Sequence, residues 1–162
     1  MTARLAVLVD GYCPAGLYRW RARTHPGAVA RELTRAGWAG YALPRPVTDA
    51  GRFLDGCAQA LSLPSWFGYN WAALADCLTD LSWLPGAGHV LLWESYGLLA
   101  AGDAKAWRCA YETLDGALAV RVRYALPPLY VLLRGTGPAG SPVDGSPIPF
   151  IESAASPRGP GR

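Results

Sequence analysis

The chain has 162 residues, enough to bury one hydrophobic core but few for two independent domains. Apolar residues make up 51% of it and charged residues 17%, yet no uncharged apolar run approaches the roughly 20 residues of a membrane-spanning helix. The net charge is +3, and the apolar run near the N-terminus ends at Asp10, short of the about 7 residues that a secretion signal requires. We therefore expect a soluble cytoplasmic protein that does not associate with a membrane.

We predict that residues 1–37 form an N-terminal extension of the main domain, with secondary structure of its own. The stretches 3–9 and 16–22 resemble a pair of strands. A helix is predicted over 26–36, because this stretch has proline in its first turn and Gly37 follows it as a C-cap. We expect the extension to pack on the main domain.

Arginine is abundant in this extension, and the sequence YRWRAR over residues 18–23 interleaves it with aromatic residues. Such a pattern suits contact with phosphates and stacking on bases, which favours RNA binding. The other interpretation is a strand with solvated arginines on one side. Arginine also supplies 14 of the 15 basic residues, a bias typical of GC-rich bacterial genomes, so its abundance alone does not indicate a nucleic-acid partner.

Three short apolar runs, each bounded by glycine or proline, predict strands buried on both faces: they are 38–43, 89–93 and 129–133. Between them lie three stretches with the helical spacing of apolar residues. Thr48 or Asp49 is predicted to cap the first helix. Asn70 and Asp103 are predicted to cap the second and the third. This order of elements is typical of an α/β fold with a small parallel sheet and right-handed crossovers.

Residues 135–162 are dominated by glycine, proline and serine. A segment of this composition buries too little apolar surface to offset the chain entropy that it loses on ordering. We therefore predict a mostly disordered tail, although Ile148, Phe150 and Ile151 could dock locally.

The sequence contains no clear motif for a cofactor, a metal or catalysis. The glycines at 135, 137 and 140 match the GxGxxG spacing, but prolines follow where a dinucleotide site needs a helix N-terminus. The four cysteines form no CxxC pair, so zinc-ligand spacing is absent. His25 and His89 are the only histidines, and neither has a nearby serine or cysteine in a nucleophile motif. We predict no cofactor, no metal site and no enzymatic activity.

The segment LPSWFGYNWAALADCLTDLSWLP, residues 63–85, contains the most specific features. Its helical periodicity turns one set of side chains at least partly outward: Ala72, Ala75, Asp76, Thr79 and Asp80. The two aspartates are a like-charge pair at i and i+4, which costs a few tenths of a kcal/mol. An acidic face beside an aromatic loop is typical of a protein-binding hot spot. The alternative is that the aromatics are core residues and the acids an ordinary solvated face.

This segment resembles the loop and helix of the barstar family, intracellular inhibitors of microbial ribonucleases such as barnase. The resemblance rests on LP, an aromatic pair with glycine, asparagine and then A-L-x-D-x-L-T in that order, over residues 63–85. The order of flanking elements extends it to residues 38–134. It implies a small three-stranded parallel sheet flanked by helices, with the helix and loop presented to the nuclease active site.

The resemblance also implies roles for individual residues of the candidate surface. Asp76 matches the dominant aspartate, which occupies a phosphate pocket of the enzyme. Trp66 stands at the position of an interfacial tyrosine. Gly68, Asn70 and Thr79 match contact positions directly.

Three positions depart from the family pattern. Ala72 stands where the family has a second aspartate, Ala75 replaces an interfacial tryptophan, and Leu81 replaces another aromatic. These departures concern the identity of the partner more than the mode of binding. With Asp80, which shares the acidic face, Ala72 and Ala75 complete the predicted partner-binding set.

The resemblance implies an immunity-type inhibitor that masks a ribonuclease, or another basic nuclease or toxin, through the acidic face centred on Asp76. Its partner is then a protein, and no direct contact with nucleic acid is expected. The alternative function is an RNA-binding or regulatory protein that uses the arginine-rich segment. A salt titration separates the two, because affinity for nucleic acid falls steeply with salt.

Overall fold

The computed structural model describes residues 3–154. The helices are α1 (Ala3–Val9), α2 (Pro26–Arg35), α3 (Ala50–Ala60), α4 (Trp71–Asp80), α5 (Gly97–Gly102), α6 (Ala104–Arg123) and α7 (Ile151–Ala154). The strands are β1 (Leu17–Arg19), β2 (Ala39–Ala42), β3 (His89–Glu94) and β4 (Leu129–Arg134). Within the described part, no helix is both long enough and apolar enough to cross a membrane.

The strands form one parallel sheet in the order β1-β4-β3-β2. The predicted α/β class is confirmed, but the sheet has four strands and not three. The additional strand is β1, in which Leu17 lies opposite Val131, and Trp20 extends the ladder by donating its N–H to the Leu133 carbonyl at 2.9 Å. The N-terminal extension therefore supplies part of the sheet itself.

Residues 3–9 form a helix, so the strand predicted there is wrong. Leu5 and Leu8 are both buried, three residues apart, which places them on one face of a helix and on opposite faces of a strand. In so short a run the two patterns are hard to separate. The packing of both leucines on the sheet decides between them.

The sheet has a helical layer on each face. On one face, α3, α4 and α6 pack over strand residues that include Leu91, Trp93 and Val131. On the other face, α1 and α2 cover Val90 and Tyr130. Because both faces are covered, β3 and β4 are apolar along almost their whole length.

The predicted helix caps on the first of these layers are confirmed. Asp49, Asn70 and Asp103 each accept a hydrogen bond from the backbone N–H three residues ahead, at 2.8, 2.8 and 3.0 Å. Each bond satisfies one of the free donors of a first turn. The starts of α3, α4 and α6 are therefore specified locally.

The segment after β4 packs on the protein, and the predicted disordered tail is wrong for its described part. Ile148 and Ile151 are buried. Arg19 at the end of β1 forms a parallel bridge with Phe150, and its backbone N–H donates to the Pro149 carbonyl at 2.8 Å. The remaining residues, 155–162, lie outside the described part.

Glycine in this segment permits close packing. A Cβ added to Gly137 would lie 2.6 Å from the ring of Tyr96, and the Tyr96 hydroxyl donates to the Pro138 carbonyl at 2.7 Å. A composition rich in glycine and proline here reflects a tight path across the surface. Composition alone does not distinguish this from disorder.

Candidate protein-binding surface

The loop before α4 holds one aromatic side chain in the core and exposes two. Phe67 is 5% exposed and packs in the main core, and its N–H donates to the Pro64 carbonyl at 2.9 Å. Trp66 and Tyr69 on either side are 65% and 56% exposed. Phe67 is therefore a core residue, whereas Trp66 and Tyr69 are surface residues.

Asn70 connects this loop rigidly to α4. Its side-chain oxygen accepts the N–H of Ala73 at 2.8 Å, and its amide nitrogen donates to the Gly68 carbonyl at 3.4 Å. Tyr69 between them has a left-handed backbone with φ of 52°, which turns the chain from the loop into the helix. Gly68 lies close enough that an added Cβ would be 3.2 Å from the Asn70 amide nitrogen.

The α4 helix has the two faces that the sequence predicts. Leu74, Cys77 and Leu78 are buried. On the opposite side, Ala72, Asp76 and Asp80 follow one another at four-residue intervals and are all exposed. Ala75 and Thr79 lie beside this row and are half-buried, and the Thr79 hydroxyl donates to the Ala75 carbonyl at 2.8 Å. The eight predicted partner-binding residues thus lie on one loop and one helix.

The carboxylate of Asp76 has no hydrogen-bond or ion-pair partner among residues 3–154. Asp80, one turn later, accepts one hydrogen bond from the described residues, donated by the backbone N–H of Ser82 at 3.2 Å. The small side chain of Ala72 lies before this pair, so nothing bulky on that row separates Asp76 from an approaching partner. The row therefore presents an uncompensated anion on a flat helix face.

Arg121 of α6 supports the end of α4, a role that the sequence analysis missed. The guanidinium is buried and donates to the carbonyls of Leu78, Thr79 and Asp80 at 3.2, 3.1 and 3.1 Å. It also donates to the Pro127 carbonyl at 2.7 Å. Burial lowers the pKa of Arg121, yet arginine stays protonated near neutral pH. A cation at a helix C-terminus offsets the dipole that disfavours Asp80.

Residues 53–94 contain four carboxylates and no lysine or arginine, but these carboxylates do not form one patch. Glu94 lies at the end of β3 and pairs with Arg134, whose Nε is 3.0 Å from both carboxylate oxygens. Asp55 lies on α3 and accepts a hydrogen bond from the Gln59 amide at 3.1 Å. The face of α4 therefore owes its negative charge to Asp76 and Asp80 alone.

Both histidines have structural partners. The Nδ1 of His25 accepts the N–H of Gly27 at 3.0 Å and caps α2. His89 is buried, with its Nδ1 3.3 Å from the Tyr41 hydroxyl, and burial together with the charge of Arg121 lowers its pKa to about 4. Among the described residues, no three histidine, cysteine or carboxylate side chains could together hold a metal ion.

The sequence matches a protein family. The family model described as Barstar (barnase inhibitor) matches residues 44–132, which is more than half of the sequence and contains the loop, α4 and Arg121. No curated protein matches the chain.

Proposed function

Since this chain belongs to the barstar family, we propose that it is an intracellular inhibitor that binds a ribonuclease, or a related basic toxin, and masks its active site. The masking surface is the acidic face of α4, centred on Asp76. In this proposal the protein has no catalytic activity of its own and acts in a bacterial cytoplasm as an immunity protein. It contacts the enzyme and no nucleic acid.

The observation that carries the proposal is the unpaired carboxylate of Asp76. An exposed anion with no cation beside it gains nothing for the fold, and its i and i+4 neighbour Asp80 repels it. A ribonuclease active site provides the missing cations, because it must bind phosphate. Charge of opposite sign on the two facing surfaces accelerates the encounter of the proteins and fixes their relative orientation.

The surroundings of Asp76 support a stable complex. Trp66 and Tyr69 are exposed aromatics that lose little side-chain entropy when they are buried at an interface. The cap at Asn70 and the contacts of Arg121 hold the two ends of α4 in place. A surface that is already ordered loses less entropy on binding.

The alanines on this face indicate a partner of particular shape. The side chains of Ala72 and Ala75 are short, so the partner's own side chains must extend to the surface of the helix. Because position 72 has no carboxylate, the partner needs fewer cations than a barnase-type enzyme uses to bind family members that have an aspartate there. The target in this proposal is therefore a nuclease whose active site carries fewer cations and whose side chains reach the surface of α4.

The test compares the wild-type chain with Asp76→Ala. Each is immobilised and exposed to lysate and secreted protein of the producing strain, and the ribonuclease activity of the eluate is measured. The isolated enzyme is then titrated with each variant. We expect the substitution to weaken binding by at least about 2 kcal/mol, the usual hot-spot threshold, for which complexes of this same family are a standard example.

The matched control is Asp55→Ala, which removes the same charge from α3. It should change binding by less than about 0.5 kcal/mol, as most surface substitutions do. The fold should be unaffected by Asp76→Ala, because alanine is the better helix former and the repulsion with Asp80 disappears. Wild-type affinity in Asp76→Ala contradicts the proposal, and equal losses from both variants mean that diffuse charge is responsible.

A further inference from the structure

A second surface, separate from the candidate protein-binding surface, is a cavity of about 750 Å³ at the carboxyl ends of the strands. Arg19 ends β1, Glu94 ends β3 and Arg134 ends β4, and all three line it. None of the eight partner-binding residues contributes to its wall. In open parallel sheets this is the edge at which ligands bind, and the volume falls in the range of about 300–1,000 Å³ typical of small-molecule sites.

The wall of the cavity carries an excess of positive charge. Four arginines and one carboxylate, Glu94, line it. Arg134 is already neutralised by Glu94 and also donates to the Ala22 carbonyl at 2.9 Å. The guanidinium groups of Arg19, Arg21 and Arg23 have no carboxylate partner among residues 3–154. Three like charges around one cavity repel each other unless an anion lies between them.

Two of these arginines are held in place by stacking. The guanidinium carbons of Arg19 and Arg21 lie 3.9 and 3.5 Å from the centre of the Phe150 ring. The Nε of Arg19 also donates to the Ile148 carbonyl at 2.8 Å. Stacking leaves the in-plane N–H groups of a guanidinium available. Phe150, from the segment expected to be disordered, thus fixes donors at the cavity.

The remaining positive contributions come from Arg23 and from α2. Arg23 is exposed and has no hydrogen bond, ion pair or ring contact among residues 3–154, so its donors are available to a ligand. His25 and Pro26, at the start of α2, also line the wall, which places the positive end of that helix dipole at the cavity. Glu152 lies outside the wall and accepts the backbone N–H of Arg21 at 3.0 Å.

We propose that this cavity binds a phosphorylated small molecule of nucleotide size, with its phosphate held by Arg21 and Arg23 beside the stacked Arg19. Arginine forks match phosphate oxygens in geometry and charge. Inorganic phosphate alone would leave most of the volume empty. This site is independent of the proposed inhibitor function, since it shares no residue with the α4 face.

The test measures binding to the full-length chain by calorimetry. The probes are inorganic pyrophosphate, AMP, ATP, GMP and GTP. A single-stranded RNA 12-mer with a 5′-hydroxyl tests whether the surface binds RNA instead. We expect at least one nucleotide to bind with a Kd below about 100 µM and pyrophosphate to compete with it. Arg23→Gln and Arg21→Gln should each weaken binding about tenfold, the loss expected for one charge-assisted hydrogen bond.

Arg45→Gln is the matched control, because Arg45 is exposed and does not line this cavity. It should leave the nucleotide affinity unchanged. If Arg21→Gln disturbs the stack on Phe150 and unfolds the chain, Arg23→Gln still tests the proposal, since Arg23 has no hydrogen bond, ion pair or ring contact to lose among residues 3–154. Absence of saturable binding below about 1 mM overturns the proposal, as does an equal loss in Arg45→Gln. Binding of the RNA that nucleotides do not displace overturns it in favour of an RNA-binding surface.

Discussion

Replacing Arg121 with methionine isolates the contribution of the buried guanidinium beneath α4. Methionine keeps the volume and the helix propensity of the side chain but cannot donate a hydrogen bond. The substitution removes the contacts to the carbonyls of Leu78, Thr79 and Asp80 and to that of Pro127. The last turn of α4 then has no side-chain donor for its free carbonyls.

The magnitude follows from two opposing effects. Nη1 shares its two N–H groups among three carbonyls and Nη2 supplies one more, so about three hydrogen bonds from a charged donor, at about 1.5–2 kcal/mol each, correspond to about 4.5–6 kcal/mol. Methionine avoids the cost of burying the guanidinium, on the order of 2 kcal/mol. The expected result is a decrease of about 2–4 kcal/mol in the free energy of unfolding, because the lost bonds outweigh the relieved burial.

Urea denaturation measures this decrease, and amide hydrogen exchange locates it. Exchange should accelerate most at Leu81, whose N–H closes the last turn by donating to the Cys77 carbonyl at 3.0 Å. Arg123→Met is the matched control, because Arg123 is exposed two residues further along α6, and it should cost less than about 0.5 kcal/mol. A loss below about 1 kcal/mol in Arg121→Met would refute the assigned role.

Three further predictions concern the partner, pH and the C-terminal segment. If the captured target is a barnase-type ribonuclease, Ala72→Asp should tighten its binding, mainly at low salt, because the substitution adds a carboxylate one turn before Asp76; a weaker complex means that the target's site is less basic or differently shaped. Because the pKa of His89 is about 4 when folded and 6.5 when unfolded, the unfolded chain binds more protons between these values, and stability falls as pH falls through that window. We expect a loss of about 2 kcal/mol between pH 7 and pH 5 in urea titrations, and none of this loss in His89→Phe. A chain truncated before Ile148 loses that side chain and Ile151 from the core, which should cost at least about 3 kcal/mol in the free energy of unfolding; an unchanged midpoint means that the segment does not support the fold.

The parts of the structure that follow from local sequence were predictable. Asp49, Asn70 and Asp103 cap helices through bonds that span three residues, so each signal lies within one turn. The apolar runs that became β2, β3 and β4 are likewise continuous in the chain. Residues 44–132, which the family model matches, contain nearly all of these local signals.

The features that escaped prediction depend on contacts between distant residues. Arg121 follows Leu114 and Leu118 on the buried stripe of α6, and a charge at that spacing is the one sign that it has a buried partner. Its carbonyl partners on α4 lie about 40 residues away in the sequence. Ile148 is similar, since its burial depends on a surface formed by other elements. Short-range patterns do not show which distant residues either side chain contacts.

The position of β1 in the sheet has a consequence for how the protein is made. This strand, from residues 17–19, pairs with β4 at residues 129–134, and its end then pairs with Phe150. A parallel pairing between strands more than 100 residues apart raises the contact order, which slows folding. On the ribosome, β1 stays unpaired until β4 has been synthesised. This edge of the sheet can therefore form only after residues 129–134 have left the ribosome.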